Sequence, residues 1–229
     1  YSIIGDGGSV HTLWVVMERQ VINRIAERLE KLGAIYIADG HHRSAAASRV
    51  AAELKRTNPA HNGSEPYNSI LVVSFPETEV QILDYNRVVK DINGLTASML
   101  LDRIEEYFEV FLSDVPAQPE SAGSFGMYLA GGWYILRFKG DLVSNNTIKD
   151  DLDVSILSNK ILSPVLGIGD PRTDPRIGFV GGIRGMAELE RQVDSGDWEV
   201  AFALFPITVS QIMTLADAQI TMPPKTTWF

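Results

Sequence analysis

The chain has 229 residues, of which 45% are hydrophobic and 21% are charged, so it holds enough apolar material for one large domain or two small ones. Its net charge of −9 argues against a protein that coats nucleic acid, but it does not exclude a local cationic pocket for a nucleotide. Because cysteine is absent, disulfides, thiolate nucleophiles and cysteine-based metal sites are excluded.

The apolar runs and the two ends of the chain bear on its location. No apolar run is long enough to cross a bilayer, and no signal-peptide pattern opens the sequence. We therefore expect a cytoplasmic protein. Because the sequence begins at Tyr1 and ends on Phe229, we also expect both ends to continue in a longer protein.

The first segment predicts a β-hairpin followed by an amphipathic helix. Residues 1–4 and 10–17 are apolar strands, and the glycine-rich run between them is a turn signal. Residues 19–32 carry apolar side chains at three- and four-residue spacings, which predicts a helix that ends at Gly33.

A strand, a polar turn and a second helix come next. Residues 34–38 form a short apolar run that predicts a buried strand, and Asp39-Gly40 is a turn signal that ends it. Two histidines and an arginine follow. Ser44 is then predicted to open an alanine-rich helix that ends near Thr57.

The turn from Asp39 to Arg43 has the chemistry of a phosphate-binding corner. A helix N-terminus offers unpaired N–H groups and the positive end of a dipole. His41, His42 and Arg43 add side-chain donors. Gly40 lets the backbone approach a ligand, and Asp39 adds a carboxylate. The plainer interpretation is that the histidines cap the helix or lie in solvent.

The middle of the chain predicts mostly sheet with one helix, a pattern typical of scaffold more than of chemistry. The predicted strands are residues 68–75, 80–89 and 108–112, with a hairpin at 125–138 and a helix at 96–107. Arg87 in the second strand either lies on an exposed alternating face or enters the phosphate pocket.

The last third alternates helices and strands. The predicted helices are residues 153–162, 186–193 and 206–218, the predicted strands are 177–180 and 200–205, and residues 221–229 are extended. Residues 169–176 contain two Asp-Pro-Arg units, which predict a solvated loop with internal ion pairs. Arg184, in a glycine-rich turn before a helix, is a candidate second anion contact.

Three motifs together resemble the uncharacterised bacterial proteins grouped as domain-of-unknown-function family 1015. They are ADGHHR at residues 38–43, DPRIGFVGGI at 174–183 and MPPKTTWF at 222–229. The DGHHR turn is also similar to that of the ParB/sulfiredoxin-like superfamily, in which free-serine kinases hold a nucleotide with such a turn. Sulfiredoxin has cysteine where His41 stands, so its chemistry is excluded here.

The resemblance implies a nucleotide-binding protein that uses ATP or ADP with Mg²⁺. It implies a small-molecule kinase that transfers phosphate to a hydroxyl, such as that of free serine. Asp39, His41 and His42 are then the candidate catalytic residues, and Asp39 is also the candidate Mg²⁺ ligand. The candidate nucleotide contacts are Gly40, His42, Arg43, Ser44, Arg87 and Arg184.

Two other functions compete with the kinase. One is a non-catalytic nucleotide-sensing module of the ParB type. The other is a metal-dependent hydrolase, which is disfavoured because adjacent histidines on a turn point in different directions. The expected partners are a nucleotide and a small-molecule substrate. The sequence does not decide whether the protein forms a homodimer. Neither a membrane nor nucleic acid is expected as a partner.

These elements predict an α+β protein of mixed β-sheets with flanking helices and a ParB/sulfiredoxin-like element around the DGHHR turn. Residues 1–113 would be the nucleotide-binding part, N-terminally truncated relative to its relatives, and 114–229 an α/β part packed on it. One continuous domain is the alternative. Two positions depart from the family pattern, since Ser44 stands where an aromatic residue often follows and Asn86 where histidine commonly precedes Arg87.

Overall fold

The computed structural model describes residues 1–5, 8–141 and 149–228. The chain divides into two compact units, Tyr1–His41 and His42–Phe229. Asp6 and Gly7 of the predicted first turn and Phe229 of the predicted C-terminal extended segment lie outside the described residues.

The first unit contains the predicted hairpin and helix. Strand β1 (Ser2–Ile4) pairs antiparallel with β2 (Val10–Thr12), which is shorter than the predicted 10–17. Helix α1 (Arg19–Glu30) matches the predicted amphipathic segment. The prediction of a strand–turn–strand–helix order is therefore confirmed.

The apolar run at residues 34–38 is not a strand, so that prediction is wrong. Ile35 and Ile37 are exposed, and neither sheet of the described residues includes a strand from this run. An apolar run indicates that burial of its side chains is favourable. A β-strand also needs a neighbouring strand with which its backbone forms hydrogen bonds.

Helix α2 (His41–Thr57) begins earlier than predicted. Ser44 was expected to open it, but His41, His42 and Arg43 already form its first turn. Gly40 has φ 83°, so the chain enters the helix directly through a conformation that glycine tolerates. The predicted polar turn is therefore the helix start itself.

A second apolar run, residues 68–75, is also not the buried strand that its composition predicts. A short 3₁₀ turn, Pro66–Asn68, opens the run, and the residues that follow form neither helix nor strand and are exposed. Leu71, for example, is 94% exposed. As in the first unit, no partner strand pairs with this run among the described residues.

The second unit is built on a six-stranded sheet. Its strands are β3 (Tyr85–Val89), β4 (Phe108–Ser113), β5 (Ser124–Leu129), β6 (Gly132–Phe138), β7 (Ile177–Gly181) and β8 (Val200–Leu204). Their order is β4-β6-β5-β8-β3-β7, and every neighbouring pair is antiparallel. The sheet thus combines strands from residues 1–113 and 114–229, and the predicted division between those parts stays a prediction.

Helices flank this sheet. They are α3 (Ala97–Ile104), α4 (Asp153–Leu157), α5 (Met186–Asp194) and α6 (Val209–Asp217), and a π-helical turn, Ser158–Leu162, continues α4. The Thr96 hydroxyl caps the start of α3 by accepting a hydrogen bond from the Met99 amide, and Thr208 forms a capping box with Gln211 at the start of α6. The fold is therefore α+β, as predicted.

The core lies on both faces of the sheet. Along β8, Phe202 packs in a large cluster with Leu100, Leu157 and Leu215 of the helices α3, α4 and α6. Its neighbour Ala201 belongs to a smaller cluster on α5. Because side chains alternate along a strand, α3, α4 and α6 cover one face and α5 the other.

The loop at residues 169–176 has the predicted internal ion pairs. Arg172 lies 2.7 Å from Asp170, and Arg176 lies 3.4 Å from Asp174. None of the helices in the described part of the chain has the length and apolar character that crossing a membrane requires.

Candidate functional site

The predicted phosphate-binding residues lie at the amino end of α2. His41, His42 and Arg43 are all exposed in its first turn, and that turn contains no acidic residue. Gly40 immediately before them has a positive φ, and Asp39 before it is exposed. The helix therefore presents three donor side chains where its dipole is positive and its first N–H groups lack intrahelical partners.

The side chains at the start of α2 supply only part of the ligands that a divalent metal ion needs. The described residues contain no group of three or more histidine or acidic side chains that could hold a metal ion. Mg²⁺ commonly uses one or two carboxylates together with phosphate oxygens of a substrate. Asp39 alone therefore fits Mg²⁺ only in combination with a bound nucleotide.

Arg184 lies in a 3₁₀ turn, Gly182–Arg184, that leads into α5. Its Nη1 is 3.8 Å from Glu188 Oε1, and its side chain is largely exposed. Glu188 pairs more closely with Arg191, at 2.7 Å, and this pairing holds the pKa of Glu188 down at about 2. Arg184 is therefore open to solvent, and its ion pair within the described residues is a long one to the half-buried Glu188.

Arg87 is a predicted site residue that the structure buries. Only 3% of it is exposed, so the alternative of an exposed alternating face is wrong. Its guanidinium donates to the carbonyl oxygens of Tyr85 and Lys225, the latter at 2.9 Å, and lies 5.4 Å from the centre of the Phe179 ring. Burial lowers the pKa of Arg87 to about 10, so it remains a cation at neutral pH.

Arg87 borders two clefts in the second unit. We call the first, of about 420 Å³ including open solvent, the Asp153 cleft; its lining includes Arg87, Asp153, Phe205, Gln211 and Thr226. We call the second, of about 1060 Å³ including open solvent, the serine cleft; its lining includes Arg87, Lys149, Asp150, Ser155, Ser158 and Asn159. Neither lining includes His42, Arg43, Ser44 or Arg184.

Asp153 is a buried acid at the start of α4. Its Oδ1 accepts a hydrogen bond from the Gly123 amide at 2.8 Å, whereas its Oδ2 has no hydrogen-bond partner among the described residues. Burial raises the pKa of Asp153 to about 7, although the amides of Gly123 and Phe205 oppose the shift. This carboxyl therefore titrates near neutral pH at the wall of a cleft.

The family described as "Protein of unknown function (DUF1015)" matches residues 1–155. The chain belongs to this family. The match covers the DGHHR residues and Arg87, but the family is one of unknown function, so membership by itself assigns no role to them. No curated protein matches the chain.

Several solved structures are distantly similar to this DUF1015 chain. A free serine kinase in complex with AMP is 16% identical, with a TM-score of 0.37 over 93% of this chain and 80% of that one. A conserved hypothetical protein from Pyrococcus furiosus is 16% identical, with a TM-score of 0.37 over 84% and 68%. A mutant free serine kinase with ADP is 13% identical, with a TM-score of 0.38 over 93% and 81%. These values are too low to carry a conclusion about this chain.

Sequence reasoning did not single out Asp153, Ser155 and Ser158, which line the two clefts. An aspartate in the first turn of a helix is common because it complements the helix dipole, so Asp153 carried no signal of its own. Serines on a short helix are equally unremarkable. A useful signal would have been that Asp153 and Ser155 interrupt the apolar residues from Leu152 to Leu157.

Proposed function

We propose that this DUF1015 protein binds a nucleotide at the amino end of α2 and transfers its terminal phosphate to the hydroxyl of a small molecule such as free serine. The observation that carries the proposal is the first turn of α2. His41, His42 and Arg43 share that turn without any acidic residue, directly after Gly40 at φ 83°.

Phosphate binding there follows from the chemistry of the helix start. The first backbone N–H groups of a helix point outward without partners, and the dipole favours an anion. Arg43 adds a planar guanidinium that can bind a phosphate with two parallel hydrogen bonds. His42 and the half-buried Ser44 add donors in the same turn. We propose Arg184 as a further phosphate contact from the turn before α5.

Phosphoryl transfer needs mostly positioning and neutralisation of charge. In the proposed reaction the acceptor oxygen forms a bond to the terminal phosphorus, and the bond from that phosphorus to the nucleotide breaks. Asp39 or His41 takes the proton that the hydroxyl releases. Asp39 would also hold Mg²⁺ together with phosphate oxygens, and the metal would supply charge neutralisation.

The binding step is tested by thermal unfolding with ATP, ADP and CTP, each with Mg²⁺. A ligand that binds only the folded chain raises the melting temperature by mass action. We expect Arg43→Ala to weaken binding about tenfold or more, because it removes charge-assisted hydrogen bonds. The control is Arg49→Ala, an exposed arginine in the same helix, about 9 Å further along the axis. Equal responses of R43A and R49A would contradict the proposed site.

The catalytic step has a separate test. The protein is incubated with ATP or ADP, Mg²⁺ and free serine, threonine or homoserine, and phosphorylated product is measured. We expect product in the wild type and at least a hundredfold less in Asp39→Asn, on the general scale of acid–base contributions. Nucleotide binding without any product would remove the kinase and leave the non-catalytic nucleotide-sensing module.

A further inference from the structure

We propose that the serine cleft binds the carboxylate or phosphate group of a small organic acid, with Arg87 as its cation. This site is additional to the nucleotide site proposed at α2, because His42, Arg43 and Ser44 do not line the cleft. In this proposal the ligand of Arg87 is not the nucleotide, so the proposal does not depend on kinase activity.

Arg87 is a buried cation without an acidic partner in the part of the chain that the structure describes. A guanidinium has five N–H donors, and here two hydrogen bonds go to neutral carbonyl oxygens, those of Tyr85 and Lys225. Among the described residues no carboxylate forms an ion pair with Arg87. Removing a charge from water is costly unless an opposite charge compensates it. An anion that enters the cleft would supply that charge and use the remaining donors.

Two hydroxyl groups face the same space. Ser155 is buried and Ser158 half-buried, and their spacing of three residues puts them on one side of the helix. Neither hydroxyl has a hydrogen-bond partner among the described residues, although both line the cleft. Ser158 also begins the π-helical turn, an irregularity that is frequent at functional sites. The hydroxyls would donate to an oxyanion held by Arg87.

The remainder of the lining indicates what the anion is attached to. Leu162, Ile168 and Ile177 are buried aliphatic residues at the wall of the cleft, whereas Lys149 and Asp150 balance each other in charge. These aliphatic side chains would pack against a carbon body, which a bare ion lacks. A charged head group on a small, mostly neutral body therefore fits better than an inorganic ion alone.

The experiment follows thermal unfolding of the full chain in R43A, which removes the contribution of the nucleotide site. Inorganic phosphate and propionate are titrated in separate arms against sodium chloride of equal ionic strength. We expect a saturable rise in melting temperature with at least one oxyanion. The oxyanion with the higher apparent affinity shows whether the cleft prefers a phosphate or a carboxylate. Ser155→Ala and Ser158→Ala should each weaken the apparent affinity about tenfold. Ser48→Ala, at an exposed position of α2, is the control and should change nothing.

Arg87→Lys keeps the charge but loses the planar fork, so its affinity should fall more than that of either serine variant. If R87K does not fold, the two serine variants decide the question by themselves. The proposal is overturned if neither oxyanion gives a saturable rise, or if S155A and S158A respond like S48A. A nucleotide response lost in R43A, with the oxyanion response intact, supports the two sites as separate.

Discussion

Arg87 and Asp153 both border the Asp153 cleft, and each places an ionisable group in a buried position. The arginine keeps its charge because carbonyl oxygens and an aromatic face compensate part of the lost hydration. The aspartate has backbone amides but, in the described part of the chain, no cation beside it, so burial dominates and its pKa rises. The same burial therefore leaves one group charged and makes the other sensitive to pH.

Asp153 should make the stability of the protein fall as pH rises. Its pKa increases from 3.8 to about 7 on folding. Below pH 3.8 the carboxyl is protonated in both states and contributes nothing to the pH dependence. Between pH 3.8 and about 7 the unfolded chain loses the proton first, so the free energy of unfolding decreases, by up to about 4 kcal/mol. Above that range the loss is complete.

Asp153→Asn removes this titration and keeps an oxygen that can accept from Gly123. Urea unfolding of wild type and D153N across pH 4 to 8 should show a smaller decline for the variant. Asp102→Asn is the control, since it removes the same charge at an exposed position of α3. Parallel curves of unfolding free energy against pH for D153N and wild type would show that burial does not shift the pKa of this carboxyl.

At the scale of residues, the sequence predicted the types of group but only some of their environments. The DGHHR run stands out because four polar residues cluster around Gly40 just before a predicted helix. Arg87 stayed ambiguous, because a strand pattern cannot tell which face will be covered. The structure resolved it by placing Arg87 in register with Phe179 and Phe202 on the flanking strands.

At the scale of elements, sequence signals predicted helix starts and hairpins correctly where the contacting residues lie close together in the chain. The β5–β6 hairpin turns through Ala130 and Gly131, both with positive φ, and Thr96 starts its helix as predicted. The strand predictions for residues 34–38 and 68–75 were wrong, because whether an apolar run pairs with another strand depends on distant parts of the chain.

Gly126 in β5 is an element-scale position where only glycine fits. A Cβ built there would lie 1.9 Å from the Ala117 carbonyl oxygen, which is backbone and cannot rotate away. We expect Gly126→Ala to lower the free energy of unfolding by about 3 kcal/mol or more, because strand and loop must separate. The control is Gly132→Ala in β6, where the nearest atom is 3.8 Å from the added carbon. Urea unfolding with equal losses for both variants would contradict the close approach at Gly126.

At the scale of the whole molecule, the α+β class followed from the alternation of elements, but the order of the sheet did not. Strands β3 and β8 are adjacent although more than a hundred residues separate them, and the isolated bridge from Leu83 to Trp228 spans a still longer distance. No local pattern carries such pairings. The matched DUF1015 range, residues 1–155, ends before β7 and β8, which complete the sheet.

A polyphosphate bound at the first turn of α2 would lie beside two histidines, whose ring signals report on it. The chain has four histidines, and His41 and His42 belong to the proposed site. His11 bonds to Ser9 and His61 to Tyr67, so these two serve as internal controls. Histidine ring signals are followed by NMR during titration with ATP and Mg²⁺, with assignments from single His→Gln variants. We predict that the His41 and His42 signals shift while those of His11 and His61 do not. Saturating ATP binding that leaves the His41 and His42 signals unshifted would rule out polyphosphate binding at this turn.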